Sequence, residues 1–207
     1  MRRILLPVFF LCAVYLPAHA WPILYAEQYY KLYHQHFYAT VESTDENIFY
    51  LQQALNADFA NPLNALTRIE NEREWACYRA LFRMKCHQLI LEEYRKQASK
   101  FDKREAYFYN QPYRHIILRS LEMALLNYER ALACWPKVKE YADETGKPEY
   151  RWIHFDTLYK WQEDAHRMRT GDLDYGEIIS KDIARLKSVR QKLEEMDENT
   201  YSDIVFP

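Results

Sequence analysis

Beyond residue 21 the apolar residues recur at three-to-four spacing along nearly the whole chain, the spacing of one helix face. Pro22 suits a first helical position. Leu24, Tyr25, Gln28, Tyr29, Leu32, Tyr33, His36 and Phe37 then carry the period and predict a first helix from about Pro22 to Ala39. Ser43 with Glu46 three residues on reads as a capping box. Ile48, Leu51, Leu55 and Phe59 extend it into a second helix, about Thr44 to Asp58, paired with the first. Asn61 and Pro62 restart the chain, and Leu63, Leu66, Ile69, Ala76, Tyr78, Leu81, Phe82, Leu89, Ile90 and Tyr94 mark a long third helix with a bend near Asn71 to Arg73. After a connection from Lys100 to Gln111, Pro112 opens a fourth helix on Ile117, Leu121, Ala124, Tyr128, Ala131, Trp135 and Val138.

Asp143 to Glu149, with Thr145, Gly146 and Pro148, reads as a linker. A fifth helix, about Tyr150 to Thr170, and a sixth, about Tyr175 to Met196, follow, with Gly171 and Asp174 as their C-cap and N-cap. The expectation is one all-α domain over residues 21–200. Its three antiparallel hairpins, about 22–58, 62–142 and 150–197, would stack as a short α-solenoid or fold into an irregular bundle, with 201–207 as a tail. In the sixth helix Ile179, Leu186, Val189, Leu193 and Met196 form a narrow seam, expected to pack on the fifth.

Composition sharpens this picture by exclusion. The chain has 207 residues and three glycines, Gly146, Gly171 and Gly176. A P-loop, a dinucleotide fingerprint and a G-x-S-x-G elbow all need glycines that the first 145 positions lack. Hairpin turns of the Asn-Gly or Asp-Gly type are missing too, which argues against a β protein.

Arg2 and Arg3, the apolar run Ile4 to Leu16 and Ala18-His19-Ala20 read as a secretory signal peptide over residues 1–20. Cleavage is expected between Ala20 and Trp21. Export to the periplasm follows if the source is a diderm bacterium, and no later segment is apolar enough to be transmembrane. Loss of two arginines leaves 26 basic against 30 acidic side chains, a mildly acidic mature chain.

Within the fourth helix Ala124, Tyr128, Ala131 and Pro136 stand in an arrangement similar to the second-helix signature of a tetratricopeptide repeat. In that family the small residues admit a neighbouring helix, the aromatic fills the groove and the proline ends the helix. The first-helix signature is missing, and no second copy occurs at a period of about 34 residues. Glu74-Trp75 through Tyr78-Arg79, Phe101-Asp102-Lys103, Ala106 to Pro112 and Tyr128 to Trp135 resemble a small family of exported helical proteins of spirochaetes. Some of its members resemble tetratricopeptide-type components of the periplasmic collar around the flagellar motor. The resemblance implies a non-enzymatic scaffold or adaptor that assembles with envelope or flagellar-motor proteins, and with copies of itself.

Candidate chemistry is sparse. His34 and His36, two apart on a helix, point to different faces. Glu163 and His166 make one Glu-x-x-His, whereas a di-metal bundle needs a second and two further glutamates. Asp172 to Gly176 resembles a calcium loop with its glycine one place early and Ile183 where a glutamate is required. No serine or cysteine stands in an ordered nucleophile motif. Neither a metal nor a cofactor is expected, and the alternatives to a scaffold are a helical envelope enzyme or metal protein, or a periplasmic chaperone.

Aromatic residues make up 16% of the chain, and consecutive ones cannot all face one core. Lys100, Lys103, Arg104, Tyr107, Phe108, Tyr109 and Tyr113 therefore form a candidate partner-binding connection, basic and aromatic. Single-stranded nucleic acid would suit such a surface, but export removes that partner. Glu194, Glu195, Asp197, Glu198 and Asp203 offer an acidic complement for head-to-tail assembly.

Of the four cysteines, Cys77, Cys86 and Cys134 follow the leader. Cys77 and Cys86 are about 13 Å apart along one helix and cannot bond. If the third helix ends at Ser99 and the fourth opens at Pro112, Cys77 and Cys134 stand equally far from the connection. They are then the pairing favoured if any disulfide forms, and three free buried thiols stand as an equal alternative.

Overall fold

The structure, a computed structural model, describes residues 22–40 and 42–197. The expected signal peptide, its cleavage point and the expected tail 201–207 lie outside the described residues, as do the side chains of Phe108 and Tyr109. Six α-helices and no strand occur among the described residues: α1 Ala26–Ala39, α2 Thr44–Asn56, α3 Glu72–Phe101, α4 Arg114–Thr145, α5 Tyr159–Thr170 and α6 Tyr175–Glu195. Short 3-10 turns at Pro62–Asn64, Phe108–Tyr113, Pro148–Tyr150 and Asp156–Leu158 connect them. The protein is all-α.

Local chemistry sets several of the boundaries. Asn61 accepts from the amides of Leu63 and Asn64, and Asp174 accepts from that of Glu177 at 3.0 Å. Gly171 closes α5 in the left-handed region at φ 85, where a side chain would be strained. Ser43 departs from the expected cap, because its hydroxyl donates to the Glu46 carboxylate instead of accepting a helix amide. The expected bend near Asn71 is a break: Asn71 accepts from the Glu74 amide at 3.0 Å and starts α3 afresh. Leu63, counted in the apolar stripe, is thereby left 95% exposed.

The α3–α4 hairpin is the spine. α1 and α2 pair with each other and α2 lies on α3; α5 crosses α4 and α3. Phe82 of α3 holds this side together, with its ring centroid 5.3 Å from Tyr30 of α1, 5.2 Å from Phe59 and 6.4 Å from Trp161 of α5. The expected third hairpin is not formed as such, since α6 runs along α4 rather than back along α5. Trp135 meets Tyr175, Glu122 meets Arg190 and the Met196 carbonyl accepts from Arg114, so α6 is antiparallel to α4. The seam of Ile179, Leu186, Val189 and Leu193 is buried, facing α4 and not α5.

The register of the spine also departs from expectation. His87 stacks on Tyr141, Arg130 lies over Tyr94, and Ser120 Oγ donates to the Phe101 carbonyl at the end of α3. The first turns of α4 therefore overhang α3, and the connection does not divide the hairpin evenly. Cys77 ends up beside Thr145 and Gly146, whereas Cys134 lies near Tyr94. Cys77 and Tyr94 are about 25 Å apart along α3. The candidate Cys77–Cys134 pairing is thus corrected: the two are not level, and Cys77, Cys86 and Cys134 are all free.

Candidate interaction surface

One side of α4 is committed to the core. Ala124 and Ala131 are fully buried, which lets neighbouring helices approach, and Tyr128 is buried beside them. Its hydroxyl donates to Asp102 Oδ2 at 3.0 Å, so this tyrosine ties α4 to the end of α3. Burial and the Asp102 carboxylate both hold the phenol well above its ordinary value. Pro136 does not end the helix as the repeat signature implies. It sits on an exposed position inside α4, which continues to Thr145 because Val138 and Ala142 beyond it are fully buried.

The opposite side of α4 carries a second periodic stripe. Ile116, Arg119, Met123, Leu126, Arg130 and Ala133 follow three-four-three-four-three spacing, and every one is exposed. Ile116 is 59% exposed, Met123 42% and Leu126 41%, an unpaired apolar seam of helix-docking type. His115 and Arg119 are exposed beside it, and no carboxylate among the described residues pairs with Arg119.

The basic, aromatic connection leads into this stripe. Lys100 is engaged within the fold, with Nζ 2.6 Å from the Glu42 carboxylate. Lys103 points outward while its carbonyl accepts from Arg185, and Arg104 borders a groove with Asp102, Tyr128 and Arg185. Tyr107 is half exposed, its amide held by Asn110 Oδ1, and Tyr113 is 62% exposed one turn before Ile116. The structure therefore brings Tyr107 and Tyr113 to the same end of the molecule as the α4 stripe. It assigns Lys100 to an internal pair instead.

A second group of polar side chains is paired within the fold. Buried Gln88 of α3 donates to Glu92 Oε1 at 3.0 Å and to Asp164 Oδ2 of α5 at 3.3 Å. Tyr175 of α6 donates to the same Glu92 oxygen at 2.6 Å, and Lys85 pairs with Asp164 at 3.3 Å. This network joins three helices and holds no nucleophile. Cys86 next to it is buried and its thiol pushed far up by burial; Cys77 is pushed up to about 11 for the same reason.

A cavity of ≈ 520 Å³ lies between α3, the end of α4 and α5, lined by Cys77, Thr145, Tyr150, Gln162 and Arg169 among others. Arg169 donates to the Ala142 carbonyl and to Thr145 Oγ1, so it caps the carbonyl end of α4. Gln162 is held by the Phe155 amide and the Ile153 carbonyl. Among the described residues no three His, Cys, Asp or Glu side chains converge to hold a metal ion, and no helix is long and apolar enough to cross a membrane.

No curated protein and no solved structure matches this chain. A family described as Domain of unknown function (DUF8513) matches residues 73–196, the span from the first turn of α3 to the end of α6. That match takes in the α3–α4 spine, the outward stripe and the α6 seam, and by it the chain belongs to this family.

Proposed function

We propose that the protein is a non-enzymatic helical scaffold, exported to the periplasm, which assembles with other proteins through the outward face of α4 and the connection that precedes it. The observation that carries this reading is the exposed stripe of Ile116, Met123 and Leu126, repeated at helix-docking spacing on a helix whose other side is fully committed to the core. Tyr107 and Tyr113 extend the surface with aromatic residues, the type enriched at protein interfaces. The pairing around Gln88 ties Glu92, Asp164 and Tyr175 into the fold, which suits a structural role for these groups. The resemblance to exported spirochaete proteins suggests the flagellar-motor collar as the assembly in which such a scaffold would sit.

The test is affinity capture of the tagged protein from native envelopes, followed by mass spectrometry, with Met123→Glu and Leu126→Glu introduced together. A defined set of envelope proteins recovered with the native chain and lost with the variant supports the reading. Recovery that is unchanged by the variant overturns the role of α4. Strong dependence of function on one carboxylate or histidine, with the fold intact, would favour an enzyme.

A further inference from the structure

On the side of the molecule where α1 faces α3, a cleft of ≈ 330 Å³ lies between the two helices, at the small end of the range for ligand pockets. Its α1 wall is aromatic. The ring centroids of Tyr33 and Phe37 stand 5.7 Å apart, and Tyr38 follows Phe37 at 6.0 Å. Its α3 wall carries Glu92, Glu93 and Lys96 within one helical turn. Glu93 is 4% exposed, and its Oε2 is buried with no hydrogen-bond partner. Asn47 of α2 lies close enough to ease the charge on this carboxyl, yet the Asn47 Nδ2 is buried without a partner as well. Glu92 accepts on Oε1 from Gln88 and Tyr175. Burial, then the charges of Glu93 and Glu92, hold the Tyr33 phenol well above its ordinary value, so this ring stands between the aromatic wall and both carboxylates.

Such a cleft suits a cation that also donates hydrogen bonds. Lys96 shows that the aromatic wall accepts a cation, with Nζ 5.5 Å from the Phe37 centroid. Two carboxylates against one lysine still leave the lining negative, and His34 beside them, held below its ordinary value by burial, adds no charge at neutral pH. A quaternary ammonium would satisfy the rings but has no N–H for the unpartnered Glu93 oxygen. A primary ammonium satisfies both.

We propose that the cleft between α1 and α3 binds a primary alkylammonium group, which donates to Glu93 Oε2 and lies against the rings of Tyr33 and Phe37. The group belongs either to a free amine or to a lysine side chain of another protein. The site shares no residue with the outward stripe of α4 and does not depend on the scaffold reading.

The experiment titrates the isotope-labelled full chain with n-butylammonium chloride, followed by amide NMR. The expected result is saturable shifts centred on residues 33–38 of α1 and 89–96 of α3. On the native chain n-butanol, which has no charge, and tetramethylammonium, which has no donor, should bind about tenfold or more weakly, as for loss of a hydrogen bond to a charged group. Glu93→Gln should weaken n-butylammonium binding by about the same factor, and Phe37→Leu by about threefold through the lost cation–π contact. Lys96→Met should tighten it, because a competing cation is removed. Saturable binding of Nα-acetyl-lysine amide at the same residues would support entry of a protein lysine, and its exclusion while n-butylammonium binds would support a free amine.

No saturable shift with either amine would overturn the proposal. Equal binding of tetramethylammonium, or unchanged affinity in Glu93→Gln, would overturn the donation to Glu93. The comparison of probes on the native chain decides the matter even where a variant fails to fold.

Discussion

Arg185 of α6 grips Asp102, the residue on which α3 ends, with both prongs of its guanidinium: Nη1 donates to Oδ1 at 2.9 Å and Nη2 to Oδ2 at 2.5 Å. The Asp102 side chain is 13% exposed and also accepts from Tyr128, so α3, α4 and α6 meet on one carboxylate. A bidentate, mostly desolvated pair of this kind contributes more than a surface ion pair.

Asp102→Asn should therefore destabilise the protein by about 2 kcal/mol, the loss expected for hydrogen bonds to a charged group. Arg185→Lys keeps the charge but not the fork and should recover only part of that. Urea unfolding of the three proteins measures both. Equal midpoints would show that the pair is a surface contact without structural weight.

Leu186 is fully buried in the α6 seam against α4. Leu186→Ala should cost about 3 kcal/mol through lost burial and the cavity left behind. Loss of partner binding with an unchanged melting temperature would mean that the seam faces a partner instead of α4.

Cys77, Cys86 and Cys134 should each be recovered as free thiols on non-reducing peptide mapping of protein from its native source. With Cys77 at about 11, its thiolate is scarce at neutral pH, so it should react slowly with a disulfide reagent until the protein is unfolded. A Cys77–Cys134 bridge would contradict the overhang of α4 beyond α3.

The pH dependence has two opposed arms. Burial, aided by Lys85, holds His34 below the ordinary 6.5, and burial, aided by Lys137, does the same for His87. As pH falls through 6.5 the unfolded chain takes up protons that the folded one refuses, so stability declines. Burial raises Glu93 above the ordinary 4.5, and its Oε2 is buried with no hydrogen-bond partner. The unfolded chain loses that proton first as pH rises above 4.5, so this carboxyl weakens the fold at neutral pH. Thermal scans should show Glu93→Gln more stable than the native chain at pH 7 and closely matched to it at pH 4. A lower melting temperature at pH 7 would mean that the ionised carboxylate is needed.

The fold class and several helix ends follow from local rules acting on particular residues. Three glycines and a three-to-four apolar period leave little besides helix, and Asn61, Gly171 and Asp174 act through their own backbone and side-chain geometry. Such signals are short-range, so a sequence carries them whole. The break at Asn71 was visible as a polar interruption, although spacing alone could not tell a bend from a new cap.

Only the tertiary structure decided which partner each apolar face would find. α4 carries two stripes of helical period, one through Leu121, Ala124 and Tyr128 and one through Ile116, Met123 and Leu126, and periodicity cannot say which is covered. The α6 seam reads the same whether it meets α5 or α4. Cys77 and Cys134 look level until Ser120, and not the start of α4, is found against the end of α3. Each choice depends on contacts between residues far apart in the chain, because burying apolar area is favourable against any complementary surface. Register is then fixed by pairs such as Arg185 with Asp102 that form only once the helices have met.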